Sequence, residues 1–356
     1  MAPNTTSDLA ATGVLYEDDQ LEDSPAVARK ADKVEAKEPF KAEWIWLHVI
    51  FIAALHVGSL YGLYLIFSSA KIQTTLLAFI LYPVCILGIT AGVHRLWSHR
   101  AYKAKWQLRV ILTFFNTIAF QRSVLTWSKV HRLHHKYSDT DGDPHNSRRG
   151  LFFSHMGWVM MTKHPDIIEK GKGIDMSDLE ADPILRFQDK YYWYLMPLCC
   201  FILPTVVPVY FWNESWVNGF FIPGVLRYLF TIHITALVNS FGHFYGNKPY
   251  DRNLQPTQNK SVSLVTLGEG WHNYHHTFPW DYKTSELGDY GVNFTNAFID
   301  FFAWVGWAYD LKSVSMDMIK KRVQRTGDGS HELWGWGDKD ITKEDKEVTI
   351  ITRKSE

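Results

Sequence analysis

The clearest signal along the chain is a set of long apolar runs set in a polar background. Residues 44–67, WIWLHVIFIAALHVGSLYGLYLIF, and 72–93, IQTTLLAFILYPVCILGITAGV, carry no charge and are separated by a turn of four residues. At ~1.5 Å rise per residue each is long enough to cross a hydrocarbon core of ~30 Å. Residues 192–211 and 220–242 repeat the hairpin around the link WNESWVNG. The aromatic-rich ends of these runs suit a bilayer interface better than a soluble core. The pattern predicts an all-α integral membrane protein with four transmembrane helices at about 44–67, 72–93, 192–211 and 220–242. Residues 106–120, WQLRVILTFFNTIAF, are apolar but broken by Arg109 and Asn116. They are too short to span and predict an amphipathic helix lying at the membrane surface.

The intervening stretches are polar. Residues 1–40 are small and charged and predict a disordered tail. Residues 41–335 form the membrane-bound domain, and 336–356 a charged C-terminal tail. The stretches 94–190 and 247–335 are expected to build a cap on one membrane face. The long stretch after His94 is rich in Lys and Arg, whereas the two short turns carry only Lys71. The positive-inside tendency places the cap and both termini in the cytosol.

Composition removes several alternatives. The 356 residues carry a formal net charge of zero, so nothing favours nucleic acid as a partner. The three cysteines, Cys85, Cys199 and Cys200, all fall in apolar runs, which argues against a disulfide framework or a zinc–thiolate site. The N-terminus lacks the basic and apolar regions of a cleaved signal peptide.

The candidate chemistry is histidine. HRLWSH supplies His94 and His99, HRLHH supplies His131, His134 and His135, NSFGH supplies Asn239 and His243, and HNYHH supplies His272, His275 and His276. In a helix, positions i, i+3 and i+4 fall within ~100° of arc, so each HxxHH points three rings one way. Asn239 and His243, four apart, share a face. His94 and His99 would stand ~140° apart, which predicts that the helix ends between them. Nine imidazoles gathered at one membrane face are costly to desolvate and repel one another as cations; metal ions remove both problems. Nine ligands are too many for one ion and fit two. The absence of nearby cysteine disfavours structural zinc, and two adjacent ions point to O₂ chemistry. Glu269, Asp139, Asp141 and Asp143 are candidate acceptors for the ring N–H groups. His48, His56, His155, His164, His233 and His331 read as ordinary core or surface residues, and His145 is left open.

The boxes HRLWSH, HRLHH and HNYHH, with NSFGH between the last two, resemble those of the membrane-bound acyl-CoA desaturases. GITAGVHRLWSHR, KYSDTDGDPHNSRRG, GNKPYD, GEGWHNYHHTFPWDYKTSELG and FIDFFAWVGWAYDLKSVS look like the insect members of that family. The resemblance covers roughly residues 40–335. It implies four transmembrane helices and a cytosolic helical cap holding a histidine-ligated dimetal site. The nine box histidines would ligate two iron ions, and Asn239 would reach one of them through water. It further implies a long-chain fatty acyl-CoA substrate, O₂ as co-substrate, electrons from NADH through cytochrome b5 reductase and cytochrome b5, and the endoplasmic reticulum membrane as location. An unactivated methylene offers no acidic proton or leaving group, so the metals must carry the hard step.

The chain departs from the family pattern around the CoA head. The Arg-Asp pair before the second box is Lys129-Val130, the asparagine of FQN is Arg122, the Arg-Lys pair before HP is Thr162-Lys163, and the tryptophan ahead of LVNS is Ala236. Positive charge for CoA phosphates survives at Arg122, Lys129 and Lys163, without bidentate arginine at two places. Gly88, Ala91 and Gly92 either make room for the acyl chain or the metal, or only allow close helix packing. The leading expectation is a cis double bond at carbon 9 of a saturated C16–C18 chain. The alternatives are another carbon such as 11, a membrane hydroxylase with the same ligands, and a metal-binding paralogue without catalysis.

Overall fold

In a computed structural model, the structure describes residues 40–286, 290–335 and 343. The tails expected at 1–40 and 336–356 lie almost wholly outside these residues. The principal helices are α1 (Trp46–Ser68), α2 (Ile72–Ser98), α3 (Trp106–Ala119), α4 (Val124–Lys136), α5 (Pro183–Trp212), α6 (Trp216–Phe244), α7 (His272–Thr277), α8 (Phe294–Trp304) and α9 (Met316–Thr326). A two-stranded antiparallel ribbon joins β1 (Lys103–Ala104) to β2 (Ala308–Tyr309), with Lys103 opposite Tyr309.

Four helices, α1, α2, α5 and α6, are long and apolar enough to cross a membrane. α1 shows why water is the wrong solvent: Leu47, Ile50, Val57, Leu60, Leu63 and Phe67 are all exposed on its surface. The two tight turns meet at one end of the bundle. There Glu214 accepts from the Lys71 backbone N–H at 2.9 Å and from Thr74 Oγ1 at 2.6 Å, and Lys71 Nζ donates to the Trp212 and Asn213 carbonyls.

The helices run past their apolar runs. α5 begins at Pro183, capped by Asp182, nine residues before the apolar stretch, and α2 continues through His94 to Ser98. The helix thus ends at Ser98, between His94 and His99 as the sequence predicts, but its last turns are not α-helical. From Gly88 to Ser98 the helix widens to i→i+5 bonding, and the His99 N–H bonds the His94 carbonyl at 3.1 Å. A spacing of five residues is then one turn, so the two rings meet, 4.9 Å between centroids. A correction applies to Asn239 and His243. The chain leaves helical geometry between them, at Ser240 (φ −106°, ψ −82°), and they do not share one continuous helical face.

Proline and a buried arginine interlock in the membrane region. Pro204 has no N–H to give the Cys200 carbonyl, and Ile118 lies in the last turn of α3, where carbonyls lack helical partners. The buried Arg227 of α6 donates to Cys200 O at 2.6 Å, Ile118 O at 3.0 Å and Pro223 O at 2.9 Å. Cys85, Cys199 and Cys200 are free thiols.

α3 buries Leu108, Leu112 and Asn116 and exposes Trp106, Val110 and Phe114 at i, i+4 and i+8. That exposed apolar stripe is what a surface-lying helix presents to lipid. It crosses α2 at Gly88, where a Cβ would stand 2.4 Å from the backbone of both Phe115 and Asn116. Gly88 therefore serves close packing. Gly92 faces the Trp97 ring at 3.1 Å, and Ala91 is fully buried.

Candidate metal centre

Four elements bring the nine box histidines together: the ends of α2, α4 and α6 and the short α7. Their nitrogens form two groups that could each hold a metal ion, His94, His99, His131, His135 and His275 in one, and His134, His243, His272 and His276 in the other. Each HxxHH divides between the groups. The i, i+4 pair His131 and His135 goes to the five-membered group and His134 to the other. In α7 the i, i+4 pair His272 and His276 goes to the four-membered group and His275 to the other. The groups adjoin, with His135 stacked on His276 at 4.1 Å between centroids.

The rings meet through Nε2. Within the larger group His94 and His275 are 2.9 Å apart, His99 and His131 2.8 Å, and His135 and His275 3.0 Å; within the smaller, His243–His272 and His272–His276 are each 3.2 Å and His134–His276 3.3 Å. Two nitrogens held cis on one ion at ~2.1 Å each stand about 3 Å apart, the spacing seen here.

Protonation favours the same reading. Burial first, and then the charge of neighbouring rings, holds His99, His131, His135, His272, His275 and His276 well below the ordinary histidine pKa. Neutral rings with lone pairs facing one another at ~3 Å repel, and a shared cation turns that repulsion into coordination. The donor set fits metal ions.

The far side of the rings is held by carboxylates. His134 Nδ1 donates to Asp143 Oδ1 at 2.9 Å, His94 Nδ1 lies 2.9 Å from Glu269 Oε2, and His243 Nδ1 lies 3.4 Å from Asp139 Oδ2. Such partners fix the ring and leave Nε2 as the ligand atom. Burial opposes charge on His134, but Asp143 and Asp139 outweigh it and raise its pKa. Asp141 is exposed and sits 4.0 Å from His164 instead, away from the box histidines. Asn239 is half-buried just before the Ser240 break.

Arg95 is the residue that box-reading overlooks. It is fully buried, donates to Glu269 Oε1 through Nε and Nη2 at 3.1 and 2.9 Å, and reaches Tyr282 O at 2.9 Å and Asn293 Oδ1 at 3.3 Å. A charged residue inside an otherwise apolar helical extension was its one sequence signal.

The remaining histidines have partners. His145 packs on Trp158, 4.3 Å between centroids, with its backbone N–H on Asp143. His48 Nδ1 meets Val159 O at 2.7 Å and His331 meets Glu286 at 2.8 Å. His155, His233 and His56 form a chain at 3.0 and 3.1 Å that starts from Ser240 Oγ. Arg122, Lys129 and Lys163 lie on the surface. Partial burial, and then the Arg122 charge, lower the pKa of Lys163.

Comparison with known proteins agrees with this geometry. The family model described as fatty acid desaturase matches residues 70–290. The chain is 56% identical over 358 residues to an Acyl-CoA Delta-9 desaturase of Acheta domesticus, covering 99% of each chain. It is 53% identical over 352 residues to an Acyl-CoA Delta12-desaturase of the same organism, 98% of each. It is 54% identical over 314 residues to an Acyl-CoA Delta(11) desaturase of Trichoplusia ni, covering 88% of this chain and 90% of the relative.

Proposed function

This chain belongs to the fatty acid desaturase family, and we propose that it inserts a cis double bond into a long-chain saturated fatty acyl-CoA, at carbon 9 of a C16–C18 chain. The relatives are named acyl-CoA desaturases, which are oxidoreductases. Their names give different carbons while their identities to this chain differ little, so the position rests on the 56% identity to the Delta-9 relative against 53% and 54% to the other two.

The observation that carries the reading is the pair of adjoining all-histidine groups at the ends of membrane-spanning helices. In our reading His94, His99, His131, His135 and His275 hold one iron ion. His134, His243, His272 and His276 hold the second, with Asn239 reaching it through water. When bound, the two ions supply the oxidising power, drawn from O₂ and two electrons, to take hydrogen from two adjacent methylenes. The residues do the rest. Asp143, Glu269 and Asp139 direct the ring protons of His134, His94 and His243 outward and keep Nε2 free. Burial keeps the rings neutral and water out. Arg122, Lys129 and Lys163 offer positive charge to the CoA phosphates. Electrons arrive from cytochrome b5 and its NADH-dependent reductase, and the protein resides in the endoplasmic reticulum membrane with the cap and both termini in the cytosol.

The test is lipid analysis of a desaturase-deficient yeast expressing the chain. A new C16–C18 alkene at carbon 9 is expected. An alkene at carbon 11 would move the position, a hydroxylated product would make it a hydroxylase, and no new product would count against catalysis.

A further inference from the structure

The two histidine groups differ in the charge behind them. Asp139 and Asp143 both stand behind the four-histidine group, on His243 and His134. Both are buried, and they accept from neutral donors otherwise. Asp143 takes the backbone N–H of Asp139 at 2.8 Å and of His145 at 2.9 Å; Asp139 takes the Ser147 N–H at 3.1 Å and Ser147 Oγ at 2.5 Å. Among the described residues no Lys or Arg forms an ion pair with either. Behind the five-histidine group the charges cancel. Glu269, next to His94, is claimed by Arg95. Arg132, which donates to the Ser98 carbonyl beside His99 at 3.2 Å, is claimed by Asp178.

We infer that Asp139 and Asp143 are positioning residues dedicated to the four-histidine site, and that they make it the seat of the ferric ion when the pair holds one ferric and one ferrous ion. The inference rests on the two-iron reading above. A carboxylate on the far N–H of a ligating imidazole makes the ring a stronger donor and favours the more highly charged ion. Two such carboxylates serve one site and none, net, serves the other. The five-histidine site therefore accepts the first electron on reduction, and the four-histidine site accepts the second.

The full-length, iron-loaded protein in detergent tests this by spectroelectrochemical titration, each ferric ion taking one electron from the electrode. Asp143→Asn and Asp139→Asn should raise the lower of two midpoints and leave the upper in place. Loss of such a partner costs about ten- to hundredfold in metal affinity; falling on the ferric ion, that is a shift of about 60–120 mV at ~59 mV per tenfold for one electron. Ser147→Ala, which frees Asp139 of a competing donor and leaves the backbone bonds intact, should shift the lower midpoint the other way. It keeps the test open if an aspartate variant does not fold. Movement of the upper midpoint alone, equal movement of both, or no movement in any folded variant would overturn the inference. Wild-type protein that binds fewer than two ions would instead defeat the two-iron reading.

Discussion

Removing the charge of Glu269 should unlock the cap from the membrane helices. Its Oε1 takes two donors from Arg95, and its Oε2 lies 2.9 Å from His94 Nδ1. Arg95 comes from the end of α2, whereas Glu269, Tyr282 and Asn293, which meet the same guanidinium, come from the chain after α6. Glu269→Gln keeps the shape and leaves a fully buried guanidinium without its anion. Breaking a buried pair from one side costs ~3–5 kcal/mol. The shift in the carboxyl's pKa points to the same size of effect. Burial pushes the Glu269 carboxyl up, but Arg95 and then His94 outweigh it and hold the pKa at about 2, against 4.5 ordinarily. At ~1.36 kcal/mol per pH unit that displacement is worth about 3 kcal/mol. The folded pKa is the lower one, so this stability is full above pH ~4.5 and is lost as pH falls towards 2. The assay is denaturant unfolding of metal-stripped wild type and Glu269→Gln in detergent across that range. A gap near 3 kcal/mol at neutral pH, closing on acidification, is expected. A gap below ~1 kcal/mol, or one that widens with acid, would refute the reasoning.

Four further outcomes come from the packing and the histidine groups. Gly88→Ala drives a methyl into the backbone of α3 and should cost ~1–3 kcal/mol, read as a lower unfolding temperature. Arg227→Ala strands the carbonyls of Ile118, Cys200 and Pro223, and at ~1–3 kcal/mol each it should prevent recovery of folded protein. Arg227→Lys should restore only part of that, because an ammonium cannot fork to all three. Chelation of bound metal should lower the apparent unfolding temperature and re-addition of Fe²⁺ should restore it, because the histidine groups exist only in the folded chain.

Much of this was legible before any coordinates. Apolar length alone marks the four long helices, and histidine count and spacing mark a cluster of metal-ligating rings. Hydrogen bonding the sequence does not display accounts for the misses. An i→i+5 stretch brings His94 and His99 onto one turn, and the break at Ser240 separates Asn239 from His243. Helical arc predicts that each HxxHH shares a face, but the division of that face between two groups depends on how α4 and α7 oppose each other. Asp139, Asp141 and Asp143 are alike in a string; in the fold Asp139 and Asp143 turn inward and Asp141 turns to His164. His56, His155 and His233 look unrelated until the packing of α1 and α6 joins them.

The central claim is that two ions sit in two histidine groups of five and four. Anomalous scattering from iron-loaded crystals tests it most directly. Two iron peaks are predicted, one ringed by Nε2 of His94, His99, His131, His135 and His275, the other by Nε2 of His134, His243, His272 and His276. A single peak, or iron bound away from these nitrogens, would contradict it.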